Sequence, residues 1–141
     1  MKNKAPLVLM EQLVMVLVFA LAAALCVRAF ALADSQSKQL ETCDRALLEA
    51  QNAAETLKSC GGDYREAAEL CRGNWDGTTM QIFYDENWQA AEEETAVYTL
   101  AVTPAESGNT LLGRAEVTVT AHGGAPLCVL PTAWQEVDGD A

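Results

Sequence analysis

Basic side chains are scarce in this chain. Nine Lys and Arg stand against 20 Asp and Glu, for a formal net charge of −11. That balance excludes a protein whose main work is gripping nucleic-acid phosphates, and no direct nucleic-acid partner is expected. Histidine is scarcer still, with His122 alone, and no Cys-x-x-Cys pair occurs. The donor spacing of a zinc site is therefore missing, and no metal or cofactor is expected. There is no Gly-rich phosphate loop and no Asn-x-Ser/Thr sequon. No serine or cysteine nucleophile arrangement surrounds His122, so nothing in the sequence argues for an enzyme. Internal repeats and low-complexity stretches are also lacking. A length of 141 residues leaves room for one ordinary domain.

What is present is unevenly distributed. Residues 1–33 carry Lys2, Lys4 and Arg28 against Glu11, a net of +2, and residues 34–141 carry a net of −13. A hydrophobic, mildly basic end is joined to an acidic, water-loving one. From Leu7 to Val27 only Glu11 and Gln12 are polar, and Leu13–Val27 is unbroken. At ~1.5 Å per residue, these helical residues would cover roughly 32 Å, enough to cross a bilayer core. Lys2 and Lys4 before the segment predict a cytoplasmic N-terminus and an exported remainder.

Three readings compete for this segment. It could be a secretory signal peptide, with Ala31-Leu32-Ala33 before Asp34 fitting the small-x-small cleavage pattern, which would release a secreted binding domain. It could be an uncleaved single-span anchor for an envelope scaffold. Or it could be a short basic leader followed by an apolar assembly helix with one glutamate near its start. Glu11 discriminates. A carboxylate at membrane depth costs ~2.5–3.5 kcal/mol, so it marks a functional position unless it lies at the interface.

Residues 34–60 contain no Pro and no Gly and are rich in good helix formers. Leu40, Cys43, Leu47, Ala50, Ala54 and Leu57 recur at steps of three and four, one apolar stripe on a helix. Gly61-Gly62 is a stop signal. One helix from about Leu7 to Cys60 is expected. A short helix at Tyr64–Cys71 follows, and Arg72-Gly73-Asn74 breaks it. Four strands are then expected at Thr79–Tyr84, Thr95–Thr103, Leu111–Ala121 and Pro126–Leu130. The expected fold is α+β: a long N-terminal helix, membrane-spanning in its first half, packed through its second half on a small antiparallel sheet. The organisation runs from a short cytoplasmic leader (1–6) and a membrane and assembly helix (7–33) to its amphipathic continuation (34–60). An αβ head (61–134) and an acidic tail (135–141) complete it.

Of the five cysteines, Cys26 lies in the apolar run as a small hydrophobe. The other four permit two disulfides in three possible connectivities, of which Cys60–Cys71 with Cys43–Cys128 is the one expected, or remain free thiols. Asp85-Glu86-Asn87 offers oxygen ligands for calcium, without EF-hand spacing, and reads better as a solvated turn. Glu92-Glu93-Glu94 reads as an exposed charged edge. Trp75, Trp88 and Trp134 read as packing residues rather than an adhesive patch.

The stretch Lys4-Ala5-Pro6-Leu7-Val8-Leu9-Met10-Glu11-Gln12-Leu13-Val14 resembles the N-terminal motif of type IV pilins and of the pseudopilins of type II secretion and competence systems. In that family a basic leader ends in a small residue, usually glycine, and cleavage exposes an apolar helix whose fifth residue is glutamate. With Leu7 as the first mature residue, Glu11 is the fifth. The resemblance implies a structural subunit held in the membrane before assembly. Its partners would be other pilin or pseudopilin subunits, the assembly platform and a prepilin peptidase, and Glu11 would pair with a neighbour's N-terminal amine. Pro6 departs from the pattern by standing where the family has glycine. The chain then reads as an atypical minor subunit or as an uncleaved anchor.

Overall fold

The computed structural model describes residues 4–136. These form two compact units, divided between Glu41 and Thr42, and helix α1 (Ala5–Ser59) contributes to both. The leader residues 1–3 and the tail residues 137–141 lie outside the described residues.

In the first unit α1 starts at Ala5, two residues before the expected start. Pro6 sits in its first turn, where a missing N–H has no helical acceptor to lose. The Val8 N–H closes the first bond onto the Lys4 carbonyl at 3.2 Å. Every side chain from Lys4 to Glu41 is exposed, the large apolar ones included. Among the described residues, α1 is the one helix long and apolar enough to cross a membrane.

The second unit is a five-stranded antiparallel meander covered on one face by helices. After α1 come α2 (Tyr64–Leu70), β1 (Asn74–Trp75), β2 (Met80–Tyr84), β3 (Tyr98–Ala105), β4 (Leu112–Ala121) and β5 (Pro126–Gln135), with a single 3-10 turn at Glu93–Thr95. Spatial order follows chain order, β1-β2-β3-β4-β5. This is the expected α+β arrangement, a long N-terminal helix on a small antiparallel sheet, with one strand more than expected. The added strand β1 follows α2 and pairs Trp75 with Met80. β5 continues five residues past its expected end, because Gln135 still pairs with Leu112. The tail therefore begins later than residue 135.

Period-two alternation sets the inner face of the sheet. Met80, Ile82, Leu100, Val102, Ala115, Val117 and Val119 are buried there, and Thr132 and Trp134 close it on β5. Against it lie Ala46, Ala50, Ala53, Ala54 and Leu57 of α1 and Ala67 and Ala68 of α2. The packing stripe of α1 is rotated from the expected one. Ala50, Ala54 and Leu57 are buried and Cys43 is half-buried, but Leu40 is 65% and Leu47 38% exposed. Ala46 and Ala53 take the central places. Small side chains let the helix backbone come close to the sheet, so four alanines and Leu57 mark the contact.

The helix ends are built by their own residues. At α1 the Gly62 N–H reaches the Leu57 carbonyl and the Gly61 N–H that of Lys58, both at 3.0 Å, with Gly61 at φ 62°. This is a Schellman closure, which needs a residue free to turn left-handed. At α2 the Asp63 carboxylate accepts from the N–H groups of Arg65 (2.9 Å) and Glu66 (3.2 Å), satisfying two orphan donors. Its C-terminus repeats the Schellman pattern, with the Gly73 N–H on the Ala68 carbonyl at 2.8 Å and Arg72 at φ 56°.

Candidate functional site

In the first unit the candidate residues occupy the opening turns of α1. Leu7 and Glu11 are four apart, so they share one face of the helix. Lys4, Val8, Met10, Val14 and Met15 border the same shallow groove. Glu11 forms no ion pair among the described residues. A lone carboxylate on an apolar helix needs an interface position or a partner cation. The bond between Pro6 and Leu7 lies inside the first helical turn. Cys26 is exposed on the same helix.

In the second unit a polar ridge runs along α1 beside the packed alanines. Arg45 bridges Glu49 at 3.1 Å, one turn apart, and the Glu49 carboxylate is largely covered. The Tyr84 hydroxyl, from the end of β2, donates to Glu49 at 3.4 Å. Burial, reinforced by the Glu49 charge, raises the Tyr84 phenol well above its ordinary value. Further along the ridge the Thr56 hydroxyl donates to the Asn52 carbonyl at 2.8 Å.

The four head cysteines end in two neighbourhoods. Cys71, at the C-cap of α2, lies against Thr56 and within range of Cys60. Cys128 pairs with Val119 and lies within range of Cys43. All five cysteines are free thiols in the structure, so the expected disulfides Cys60–Cys71 and Cys43–Cys128 are not formed there. Burial pushes the Cys71 and Cys128 thiols up, which favours the protonated form.

Each tryptophan packs against another aromatic ring or a backbone. Trp134 is 9% exposed and lies over Gly62 and Gly113, positions where a Cβ would strike its indole. Trp75 stacks on Tyr64 at 4.8 Å, and Trp88 stacks on Tyr98 at 4.1 Å with the rings 4° from parallel. Trp88 holds a left-handed φ of 60° to make that stack. Three buried polar atoms near Trp134 lack a hydrogen-bond partner among the described residues: Tyr64 Oη, Thr132 Oγ1 and Trp134 Nε1. Burial, and then the Glu136 charge, raises the Tyr64 phenol.

The acidic turns spend their oxygens on their own backbone. Asp85 Oδ1 accepts from the N–H groups of Asn87 (2.8 Å) and Gln89 (2.9 Å). Asp76 Oδ1 does the same for Thr79 and Thr78, both at 2.7 Å, which holds its carboxyl below the usual range. Glu92, Glu93 and Glu94 are exposed around the 3-10 turn, and His122 is exposed in the turn after β4. Among the described residues, no three His, Cys, Asp or Glu side chains converge as metal ligands would.

The Arg45–Glu49–Tyr84 cluster was not anticipated from the sequence. Its one advance signal was the four-residue spacing of Arg45 and Glu49, since the link to Tyr84 is long-range. No family model, curated protein or solved structure matches the chain.

Proposed function

We propose that this chain is a pilin-like structural subunit of a type IV pilus or of a type II secretion or competence-type pseudopilus. The observation that carries it is one uninterrupted 55-residue helix with two kinds of surface. Its first half is apolar and unpacked, with one carboxylate on the face of Leu7. Its second half buries small residues under an antiparallel meander. A parked subunit needs an apolar helix that is comfortable in lipid. An assembled one needs the same helix to bundle with its neighbours, and a non-closing head-to-tail contact then generates a helical filament. Glu11 supplies register in that bundle by pairing with a neighbour's amine, because a buried charge without a partner is costly. The acidic head faces water on the exported side, and the basic end stays cytoplasmic.

The test separates insertion from assembly. Glu11→Ala should leave the chain in the membrane fraction at wild-type levels and remove it from sheared filaments. Wild-type incorporation of Glu11→Ala would overturn the proposal. So would an extracellular form whose N-terminus is Asp34.

A further inference from the structure

The pilin-like role calls on α1 and leaves the edges of the head's sheet without a task. We propose that the free edge of β5 is a strand-addition site. It takes an extended segment of another protein, antiparallel to β5, with a lysine or arginine opposite Ala133. The proposal concerns the head unit alone and holds whether or not the chain enters a filament.

The register says which backbone groups are free. β5 is the last strand of the sheet, and among the described residues no strand lies beyond it. The Glu136 N–H donates to the Leu111 carbonyl at 2.9 Å. In an antiparallel ladder such bonded pairs alternate with unbonded ones. Counted back along the register, Trp134 with Gly113, Thr132 with Ala115 and Leu130 with Val117 are bonded pairs. Gln135, Ala133, Pro131 and Val129 fall on the unbonded ones, so their backbone groups point to the open edge. Pro131 fits this phase, since it stands opposite Glu116, where β4 asks for no N–H. The edge therefore presents the N–H groups of Val129, Ala133 and Gln135 and the carbonyls of all four residues. All four are exposed, Val129 by 50%.

Donors and acceptors at every second residue of an extended chain match the main chain of another extended strand. Sheets usually guard such an edge with charge or by keeping it short. The opposite edge is short, since β1 has two residues. β5 has ten, and from Val117 to Gln135 the chain holds no Asp, Glu, Lys or Arg. Between Val129 and Gln135 only Pro131 interrupts the edge. It withholds one donor and leaves those on either side.

The outer face beside this edge selects the occupant. A depression of about 290 Å³ is lined there by Ala105, Glu106, Arg114, Glu116, Pro131 and Ala133. A residue added opposite Ala133 places its side chain on the same face as Ala133. Ala133 is small, so a long side chain can cross it to the depression, about one strand spacing of ~4.8 Å away. Two carboxylates and one guanidinium line that depression, which suits a cation and disfavours an anion. A second copy of the head fits worse. Residues 34–141 carry a net of −13, so two heads repel. β5 laid on a second β5 would double the missing proline donors and bring no basic side chain to the depression.

The full chain in detergent micelles provides the test, titrated with a short acetylated and amidated peptide of alternating valine and threonine with one central lysine. Amide hydrogen exchange followed by NMR is the readout. Without peptide, the N–H groups of Val129, Ala133 and Gln135 should exchange fast and those of Leu130, Thr132 and Trp134 slowly. Saturating peptide should slow Ala133 and Gln135 by about tenfold or more. The same peptide, N-methylated on the backbone nitrogens that face β5, should bind at least about tenfold more weakly. Glutamate in place of the lysine should weaken binding about fivefold, and Glu116→Lys should reverse that preference. Ala133→Pro removes an N–H that faces solvent. It should keep the urea midpoint near wild type and weaken the lysine peptide about tenfold. If that variant does not fold, the N-methylated peptide puts the same question to the unaltered chain. Protection of these amides that grows with protein concentration in the absence of peptide would give the edge to a second copy and overturn the proposal. So would slow exchange at Val129, Ala133 and Gln135 in the dilute free chain, no protection by the lysine peptide, equal binding of the N-methylated one, or no preference for lysine over glutamate.

Discussion

Residues 5–41 and 42–59 belong to one helix, and they reverse the usual relation between apolarity and burial. The first stretch carries Leu, Val, Met and Phe all round as far as Leu32 and buries none of them. The second mixes Asp44, Arg45, Glu49, Glu55 and Lys58 with uncharged polar and apolar residues and buries chiefly alanine. In water the first stretch would be the core and the second the exterior. The reversal is consistent with a change of solvent along the helix, lipid or neighbouring helices for the first and the head's own sheet for the second. Large side chains on the first stretch present surface to an outside partner. On the second, small side chains decide how closely a sheet can approach.

Truncating a leucine in each region tests this contrast and carries the largest expected effect. Leu57 is fully buried under the sheet. Leu57→Ala should destabilise the head by about 2–5 kcal/mol, the transfer loss plus the cavity left behind. Leu17 is exposed on the first stretch. Leu17→Ala should leave the head's unfolding midpoint in detergent unchanged. Urea titration followed by tryptophan fluorescence reads the head, since Trp75, Trp88 and Trp134 all lie there. Equal shifts for the two variants would erase the distinction.

The sequence made one of these regions much more legible than the other. The apolar run, the lone Glu11 and the Gly61-Gly62 stop are local signals, and α1 spans nearly the expected residues. Strand centres were legible by alternation, as at Val117 and Val119. The extent of β5 was not: the expected strand stopped at Leu130, just before Pro131. Pairing across β4 holds Thr132 opposite Ala115 and keeps the strand going. The stripe on α1 was misplaced for a related reason. Hydrophobic periodicity weights Leu47 over Ala46, but the sheet selects for closeness, which no local pattern encodes. The Arg45–Glu49–Tyr84 cluster depends on a contact across 35 residues and had no local trace beyond its ion pair.

Alkaline pH should act on the head and spare the apolar stretch. Tyr84 has an unperturbed value of 10.0, and burial and Glu49 raise it in the fold. In the unfolded chain the phenol ionises above pH 10, whereas the folded one keeps its proton. The stabilisation is therefore intact below pH 10 and lost as pH climbs toward the folded-state value. The loss approaches about 1.4 kcal/mol per pH unit for this one group. Tyr64 is shifted in the same direction and adds to the slope. Urea midpoints measured from pH 8 to 11 should fall above pH 10 in wild type and fall less steeply in Tyr84→Phe. The same slope in both would remove Tyr84 from the account.

The smallest effect concerns the one polar side chain that, among the described residues, is buried on the inner face of the sheet. Thr132 is 8% exposed, and its hydroxyl has no partner among the described residues. A buried hydroxyl that gives up water and gains nothing costs about 1–3 kcal/mol, whereas an apolar group of the same shape costs little. Valine keeps the branched shape and the strand preference of threonine. Thr132→Val should therefore raise the urea midpoint by the equivalent of about 1 kcal/mol, an increase where most core substitutions bring a loss. Thr118 gives the control, since it faces away from the core on β4, where its hydroxyl keeps access to water. Thr118→Val should stay within about 0.5 kcal/mol of wild type. A loss of stability in Thr132→Val would mean that the hydroxyl is hydrogen-bonded in solution. The inner face would then hold a polar partner, and the contrast between a dry packed head and a helix that meets its partners from outside would have to be redrawn at that end of β5.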